Sequence, residues 1–273
     1  MSEWKRRLWA AAVVLFGAGG LATTGCGRDD GSEGDRARKE RKRRDDDDGG
    51  TKKNASKAAA ERDEGGEAKV GEDGLLRASD GSIPPLEPDR WRLPPMGSWA
   101  QTGPAKDSKG SPPTTKVSWL EKRKDDEYRV QVEVSGAQSV LAKAWVRIPD
   151  LRTFDKSGIK LLSLEGKVGP LGYQKFPVGS NPLFEQLFDR FLGLVTPLKL
   201  DALPREDVET PLGLFRQCYV REDTLSVMGI TVTTKSYLHP AVGGSSAVKT
   251  VTDKGEVTVL IALDDDGAKE VTP

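Results

Sequence analysis

The feature that most constrains this chain is a charge-dense segment near its amino end that lacks large side chains. Residues 28–70 hold 13 basic and 13 acidic residues in 43 positions, which is 60% charged, against 58 charges, or 25%, in the other 230 residues. No aromatic residue lies from 17 to 90. Such a segment cannot bury enough apolar surface to offset its ordering entropy. We therefore predict a disordered linker over 26–90 and a single folded domain over 91–273.

A short apolar run precedes the linker. Residues 4–7 read Trp-Lys-Arg-Arg, and residues 8–22 are apolar with three glycines. A basic cap before an apolar run of about 15 residues is typical of a secretory signal peptide. The alternative is a membrane-spanning helix, which needs about 20 apolar residues and is weakened by glycine. The pattern favours a signal peptide over 1–25 that is removed on export.

The run ends in a cysteine preceded by small residues. The segment Leu-Ala-Thr-Thr-Gly-Cys at 21–26 resembles the lipobox of bacterial lipoproteins, although Thr23 stands where that family usually has Leu. The resemblance implies cleavage before Cys26 and acylation of its sulfur, with palmitate among the chains. An ordinary signal-peptidase site with an incidental cysteine is the alternative.

The resemblance also implies a location. Two or more acyl chains hold a protein stably on a membrane, whereas one holds it marginally. Gly27 follows the cysteine, in place of the Asp that is linked in some enteric bacteria to the inner membrane. We therefore expect membrane lipid to be a partner through acylated Cys26, and the protein to face the periplasm from the outer membrane.

The charge pattern argues against a nucleic-acid partner. The formal net charge is zero, and the basic run 41–44 lies directly before the acidic run 45–48. Adjacent runs of opposite sign cancel beyond about one Debye length, roughly 8–10 Å. The acidic run also lacks the ligand spacing of a calcium loop. The linker is interpreted as a solvated spacer.

The predicted domain is mainly β. In 127–134, Tyr128, Val130, Val132 and Val134 alternate with polar residues, which is the period of a sheet with one buried face. A second strand is predicted at 114–121, before strand 127–134, and we expect the two strands to form a hairpin around 124–126. Further strands are predicted at 139–148, 159–165, 212–221, 225–237, 246–252 and 256–263. We expect a curved antiparallel sheet or half-barrel of roughly 8–10 strands.

One amphipathic helix is predicted over 181–195. It begins with Asn181 as N-cap and Pro182 at the first helical position. Its apolar stripe packs on the sheet, either as plain core or as the wall of an apolar cavity. The residues expected to line such a cavity are Leu183, Phe184, Leu187, Phe188, Phe191 and Leu192.

The domain carries a second, looser resemblance. The pattern Pro-x-Gly-x-Phe-x-x-Cys at 211–218, followed by 237–244, and the early Met-Gly-Ser-Trp at 96–99 are similar to a group of uncharacterised periplasmic domains. Those domains resemble the lipoprotein-carrier half-barrels, whose curved sheet can hold acyl chains. The resemblance implies an apolar ligand, although this chain has one predicted helix where carriers have several.

Motifs for catalysis or cofactors are not found in the sequence. His239 is the only histidine, so a His-dependent triad or zinc site has a single candidate; we interpret it as a surface or capping side chain. Cys218 is interpreted as a buried small hydrophobe within a strand. We expect no enzyme activity, metal or cofactor.

Two functions remain open at this stage. The first is a binding or assembly module of the cell envelope, in one version a carrier of acyl chains or another apolar ligand. The second is a structural or interaction protein with a filled core that contacts another envelope protein. A hydrolase with paired carboxylates is the weaker alternative.

Overall fold

Nearly all regular structure in this protein is antiparallel β-sheet. The computed structural model describes residues 69–136, 139–149, 159–168, 172–176, 178, 200–227, 230–243 and 247–272. Within these ranges the chain forms β-strands and short 3-10 turns, and no α-helix. The strands are β1 Lys69–Val70, β2 Leu76–Arg77, β3 Trp99–Pro104, β4 Thr114–Arg123, β5 Glu127–Ser135, β6 Val140–Arg147, β7 Lys160–Val168, β8 Gln174–Phe176, β9 Arg205–Thr210, β10 Gly213–Val227, β11 Ile230–Leu238, β12 Lys249–Thr252 and β13 Val257–Asp264.

Eleven of these strands form one sheet, in the order β8-β7-β6-β5-β4-β3-β13-β12-β11-β10-β9. Two antiparallel meanders, β3 to β8 and β9 to β13, are joined where β3 pairs with β13. The sheet is curved and not closed. Near one edge, Cα atoms of β9 come within 8 Å of β13, four strands away in the sheet order. The prediction of a curved, open antiparallel sheet is confirmed, with eleven strands rather than 8–10.

The first meander buries one face of the predicted hairpin. β4 and β5 pair around a 3-10 turn at Lys124–Asp126, as the sequence predicts. Trp119 is fully buried and meets the edge of Tyr128, with ring centroids 5.8 Å apart. The same cluster also contains Val130, Val146, Ile148 and Ile159, with Leu93 and Met96 packed against it. Burial of this apolar face holds the strand register, since a one-residue slip would expose it.

The second meander has a core to which the preceding chain contributes. Phe215, Cys218 and Leu260 are fully buried, and Leu75 and Ile83 pack with them. Ile83 forms a parallel bridge to Phe215. Residues 69–90, which the sequence places in the linker, therefore carry β1 and β2 and supply core side chains, so ordered packing begins before residue 91.

The predicted strand limits differ from the structure mainly at one turn. The sequence places a connection between 221 and 225, whereas β10 continues to Val227 and β11 begins at Ile230. Charged Arg221, Glu222 and Asp223 resemble a turn, but they pair with Ser236, Lys235 and Thr234 of β11. Strands β3, β8 and β9 are short and were not predicted. The helix predicted over 181–195 lies outside the described residues.

Candidate functional site

Polar side chains line one face of β4 to β7. Successive residues of a strand point to opposite faces, so Val130 faces the core while Arg129 and Gln131 face the other side. Across the β5–β6 pair, Gln131 lies opposite Lys143 and Arg129 opposite Trp145. We call this surface the polar face.

Besides Ser118, two residues of the polar face are buried, which is unusual for the outer side of a sheet. Gln131 is fully buried and Lys143 is 3% exposed. Both contact the segment 268–272, which we call the closing segment. This segment follows β13, and its first residue donates a hydrogen bond from the Ala268 backbone N–H to the Gly97 carbonyl at 2.6 Å. The closing segment therefore runs from the second meander onto the first.

Gln131 holds the backbone of the closing segment from both sides of residue 270. Its Nε2 donates to the Lys269 carbonyl at 3.3 Å, and its Oε1 accepts from the Val271 N–H at 3.0 Å. The same Nε2 donates to Glu133 at 3.0 Å, which fixes the orientation of the amide. One side chain thus supplies the donor and the acceptor that a neighbouring strand would supply.

Two cations hold the side chain of Glu270. Its Oε1 accepts from Lys143 Nζ at 2.6 Å and from Arg129 Nη2 at 2.7 Å. The Lys143 hydrogen bond, with smaller contributions from the nearby positive charges, lowers the Glu270 pKa against the opposing effect of burial. In the described part of the chain, Glu270 supplies the only ion pair that Lys143 makes. The carboxylate therefore compensates an ammonium group that is almost fully buried.

The rim of this site contains a tyrosine, a tryptophan and a further carboxylate. Arg129 lies 3.7 Å from Glu165 on β7. Burial, and then a hydrogen bond with Glu165, raise the pKa of Tyr173 to about 12, so the phenol stays protonated at neutral pH. Lys143 Nζ lies 5.8 Å from the Tyr173 ring, and the Arg123 guanidinium lies 3.7 Å from the Trp145 ring. The cations are thus fixed by aromatic rings as well as by carboxylates.

The polar face retains three buried polar atoms without partners among the described residues. They are the hydroxyl of Ser118, which lies opposite Gln131 across the β4–β5 pair, and the Nε atoms of Arg129 and Arg147. A buried donor without a partner costs about 1–3 kcal/mol. The closing segment therefore satisfies much, but not all, of the hydrogen-bonding capacity of the face.

The lipidation and cavity residues predicted from the sequence lie elsewhere in the chain. Cys26 and the proposed cavity lining, Leu183, Phe184, Leu187, Phe188, Phe191 and Leu192, fall outside the described residues. Their predictions remain untested by the structure.

His239 is not a surface side chain, contrary to one half of its interpretation. It is fully buried at the end of β11, with its ring 5.4 Å from Phe215. Its Nδ1 accepts the Ala241 backbone N–H at 3.2 Å, which is the expected capping role. Burial lowers the His239 pKa to about 4, although the Pro84 and Arg216 carbonyl groups oppose that shift. The imidazole is therefore neutral at physiological pH.

Cys218 is buried in β10, as predicted. It is fully inaccessible in the core, and burial, together with the charge of Asp207, raises its pKa to about 12. A thiol with such a pKa is a weak nucleophile at neutral pH because almost none of it is ionised.

A small cavity lies where the two meanders meet. Its volume is about 110 Å³, and it is lined by residues including Pro94, Trp99, Pro240 and Leu263. Ligand sites for drug-sized molecules typically measure about 300–1,000 Å³. This cavity is therefore too small for an acyl chain.

Two further features are absent from the described part of the chain. Its His, Cys, Asp and Glu side chains include no group of three that could hold a metal ion. Within the same ranges, no helix has the length and apolarity needed to cross a membrane.

Comparisons with known proteins add little to this geometry. No protein family and no curated protein matches the chain. Among solved structures, the chain is similar to a protein of Bacteroides fragilis NCTC 9343 named as a "putative exported protein with YmcC-like fold", at 11% identity and a TM-score of 0.30, over 64% of this chain and 99% of that one. A TM-score of 0.30 does not establish a shared fold.

Sequence reasoning missed the site around Gln131. Alternation in β5 marks Arg129, Gln131 and Glu133 as solvent-facing, and no local pattern indicates that a distant segment covers them. The one available signal is Lys143, a single charge in the apolar run 140–146. A lysine at such a position indicates a compensating carboxylate somewhere else in the chain.

Proposed function

We propose that this protein is a lipid-anchored component of the bacterial cell envelope, held at the outer membrane and facing the periplasm, whose β domain is a non-enzymatic binding module. The signal-like residues 1–25 and the lipobox-like residues 21–26 support the anchor. The charge-dense linker lets the domain reach a partner at some distance from the membrane.

One observation carries the binding role. The polar face holds 268–272, an extended piece of polypeptide, through side chains rather than through strand pairing. A surface that already binds one extended segment has the donors, acceptors and charges needed to bind another. The partner in this proposal is an envelope protein.

The acyl-carrier version is less well supported. It depends on a cavity beneath 181–195, which lies outside the described residues. The cavity beside Trp99 measures about 110 Å³, which is small for a lipid chain. The described clusters around Trp119 and Phe215 are packed with side chains. This packing favours a domain that has a filled core and contacts its partner through its surface.

In this proposal His239 is not the general base of a hydrolase. His239, the only histidine, is fully buried and neutral, and it caps the backbone of Ala241. A general base must reach the proton that it removes from a substrate, and a side chain with no exposed surface does not reach one.

The anchor is tested by mass spectrometry of the protein isolated from the membranes of its bacterial host. We expect an acylated amino-terminal peptide that begins at Cys26, and loss of both acylation and membrane retention in Cys26→Ala. An unmodified amino terminus at another residue would reject the anchor.

The binding role is tested by site-specific photo-crosslinking in intact cells. A photoreactive residue at Lys167, which is exposed on the polar face, should give a reproducible adduct with an envelope protein. The same residue at Lys109, which is exposed in the β3–β4 connection, is the matched control. Adducts of equal yield at both positions, or none at Lys167, would count against a binding surface on this face.

A further inference from the structure

The polar face makes two kinds of contact with the closing segment, one with its main chain and one with a charged side chain. Gln131 contacts only main-chain atoms of residues 269 and 271. These contacts need an extended backbone, but they accept any side chain at the two positions. Arg129 and Lys143 contact only the carboxylate of residue 270. The site therefore recognises an extended segment with an acidic side chain at its centre.

The charge balance of the site requires an acidic occupant. With Glu270 removed, Arg129 keeps Glu165 at 3.7 Å, whereas Lys143 keeps no carboxylate within 4 Å among the described residues, although Glu165 lies opposite it across the β6–β7 pair. A neutral side chain in place of Glu270 would leave a buried ammonium group without a direct ion pair, which is unfavourable. A neutral or basic segment is therefore disfavoured at this site relative to an acidic one.

The resident segment is held loosely enough to be replaced. Residues 269–272 are exposed, and Gly267, just before the segment, has φ of 84°, which glycine adopts without strain. Apart from the Ala268 to Gly97 hydrogen bond, its described contacts with the polar face are those of Gln131, Arg129 and Lys143. Segments with few buried contacts open at low free-energy cost.

We infer that Arg129, Gln131 and Lys143 form a recognition site for an extended, glutamate-containing segment of a partner protein, and that the closing segment occupies this site until the partner displaces it. The inference rests on the proposed binding role and names the class of its partner. Charge complementarity and the resident Glu270 both indicate this occupant rather than a lipid or a nucleic acid.

The test uses the full chain and a fluorescent synthetic peptide with the sequence of residues 267–273, followed by fluorescence anisotropy. In Glu270→Lys, repulsion by Lys143 and Arg129 releases the closing segment, and we expect the peptide to bind at least tenfold more tightly than to the unsubstituted chain. Lys269→Gln is the matched control, because Lys269 contributes only its backbone carbonyl; its peptide affinity should equal that of the unsubstituted chain.

Peptide variants then test the specificity. Replacement of the peptide's glutamate by glutamine should weaken binding to Glu270→Lys at least tenfold, and added salt should weaken binding of the acidic peptide more than that of the neutral one. Equal binding of both peptides, or no binding to Glu270→Lys with its β-sheet circular dichroism intact, would overturn the inference.

Three further outcomes are decisive. If Glu270→Lys does not fold, Glu270→Gln replaces it. We expect Glu270→Gln to bind the peptide more tightly than the unsubstituted chain does, and equal binding by the two proteins would contradict the inference. A dimer of the unsubstituted chain that Glu270→Gln abolishes would instead identify the occupant as a second copy and overturn the partner assignment. If peptide binding fails while the Lys167 adduct persists in cells, the specificity is rejected and the binding role stands.

Discussion

Burial of a single histidine couples the stability of this domain to pH. The folded pKa of His239 is about 4, below its ordinary value of 6.5. Between these two values the unfolded chain binds a proton and the folded chain does not, so the free energy of unfolding falls as pH drops. The contribution of the buried, neutral His239 to the free energy of unfolding is complete above pH 6.5 and is lost progressively toward pH 4. This loss is on the order of 3 kcal/mol.

This dependence is measured by denaturant unfolding of the domain between pH 7 and pH 5. We expect His239→Gln to be less stable at pH 7 but to show a flatter slope, because glutamine can accept the Ala241 N–H and does not titrate. The pKa values of Glu206 and Glu270 are lowered below 4.5, so these groups act mainly below this window. An equal slope in both proteins would contradict the prediction.

Residue patterns in the sequence predict burial where the cause is local. Alternation identified Tyr128 and Val130 as core residues, and strand context identified Cys218. The burial of Gln131 and Lys143 has a non-local cause, since Glu270 lies 127 positions after Lys143. No periodic pattern in β6 contains that information. The candidate site could therefore be recognised only after the fold had brought the closing segment onto β5 and β6.

At the scale of elements, one glycine controls how closely β6 and β7 approach. A Cβ atom added to Gly166 would meet the backbone carbonyl oxygen of Leu141 and lie 3.1 Å from Ala142 Cα. Backbone atoms cannot move aside as the end of a long side chain can. We expect Gly166→Ala to destabilise the domain by about 1–3 kcal/mol, the usual cost of overpacking.

The matched control for this prediction is Gly172→Ala. Apart from its chain neighbours, no atom of the described residues lies within 4 Å of a Cβ at Gly172, so that substitution should change the free energy of unfolding little. Urea titrations of both variants provide the comparison. Similar stabilities for the two variants would show that β6 and β7 separate more easily than the structure implies.

The bulge in β10 depends on a residue in the left-handed region. Gln217 has φ of 52°, and its backbone N–H donates to Asp207 Oδ1 at 2.8 Å, where the pairing of β10 with β9 shifts register. A β-branched residue tolerates this conformation poorly. We expect Gln217→Val to lower the free energy of unfolding by about 1–2 kcal/mol and Gln217→Gly to leave it nearly unchanged. In the glycine variant, relief of backbone strain in the folded state is opposed by the greater entropy of the unfolded chain.

Thermal unfolding of the two Gln217 variants checks this expectation. A valine variant as stable as the glycine variant would mean that the backbone of residue 217 is not left-handed in solution. The sequence signal for this bulge is weak, since neither Arg216 nor Gln217 is a typical bulge residue. That β9 was not predicted has a different cause, because Val208 is its one apolar residue and the sequence therefore shows no apolar alternation there.

At the scale of the whole molecule, the closing segment connects two halves that are also joined by the β3–β13 strand pair. β13 belongs to the second meander and pairs with β3, and the chain after it extends over β5 and β6. Its contacts with Gln131 and Lys143 therefore span the junction between the halves. This route makes the segment both a structural strap and the occupant of a binding site, and the two roles predict different results when it is removed.

Deletion of 268–273 separates these roles. We expect the free energy of unfolding to fall by about 1–3 kcal/mol, the value of a few hydrogen bonds, with the two ion pairs of the half-exposed Glu270 discounted for solvent screening. Lys143 should change from unreactive to reactive toward an amine-acylating reagent, as mass spectrometry of its peptide reports, whereas exposed Lys167 on the same face should react equally in both proteins. Complete unfolding would identify the segment as an obligatory part of the fold. Displacement of the closing segment requires the polar face to stay folded without Glu270. A domain that remains ordered after the deletion, with Lys143 accessible, is therefore the state to which a partner's segment would bind.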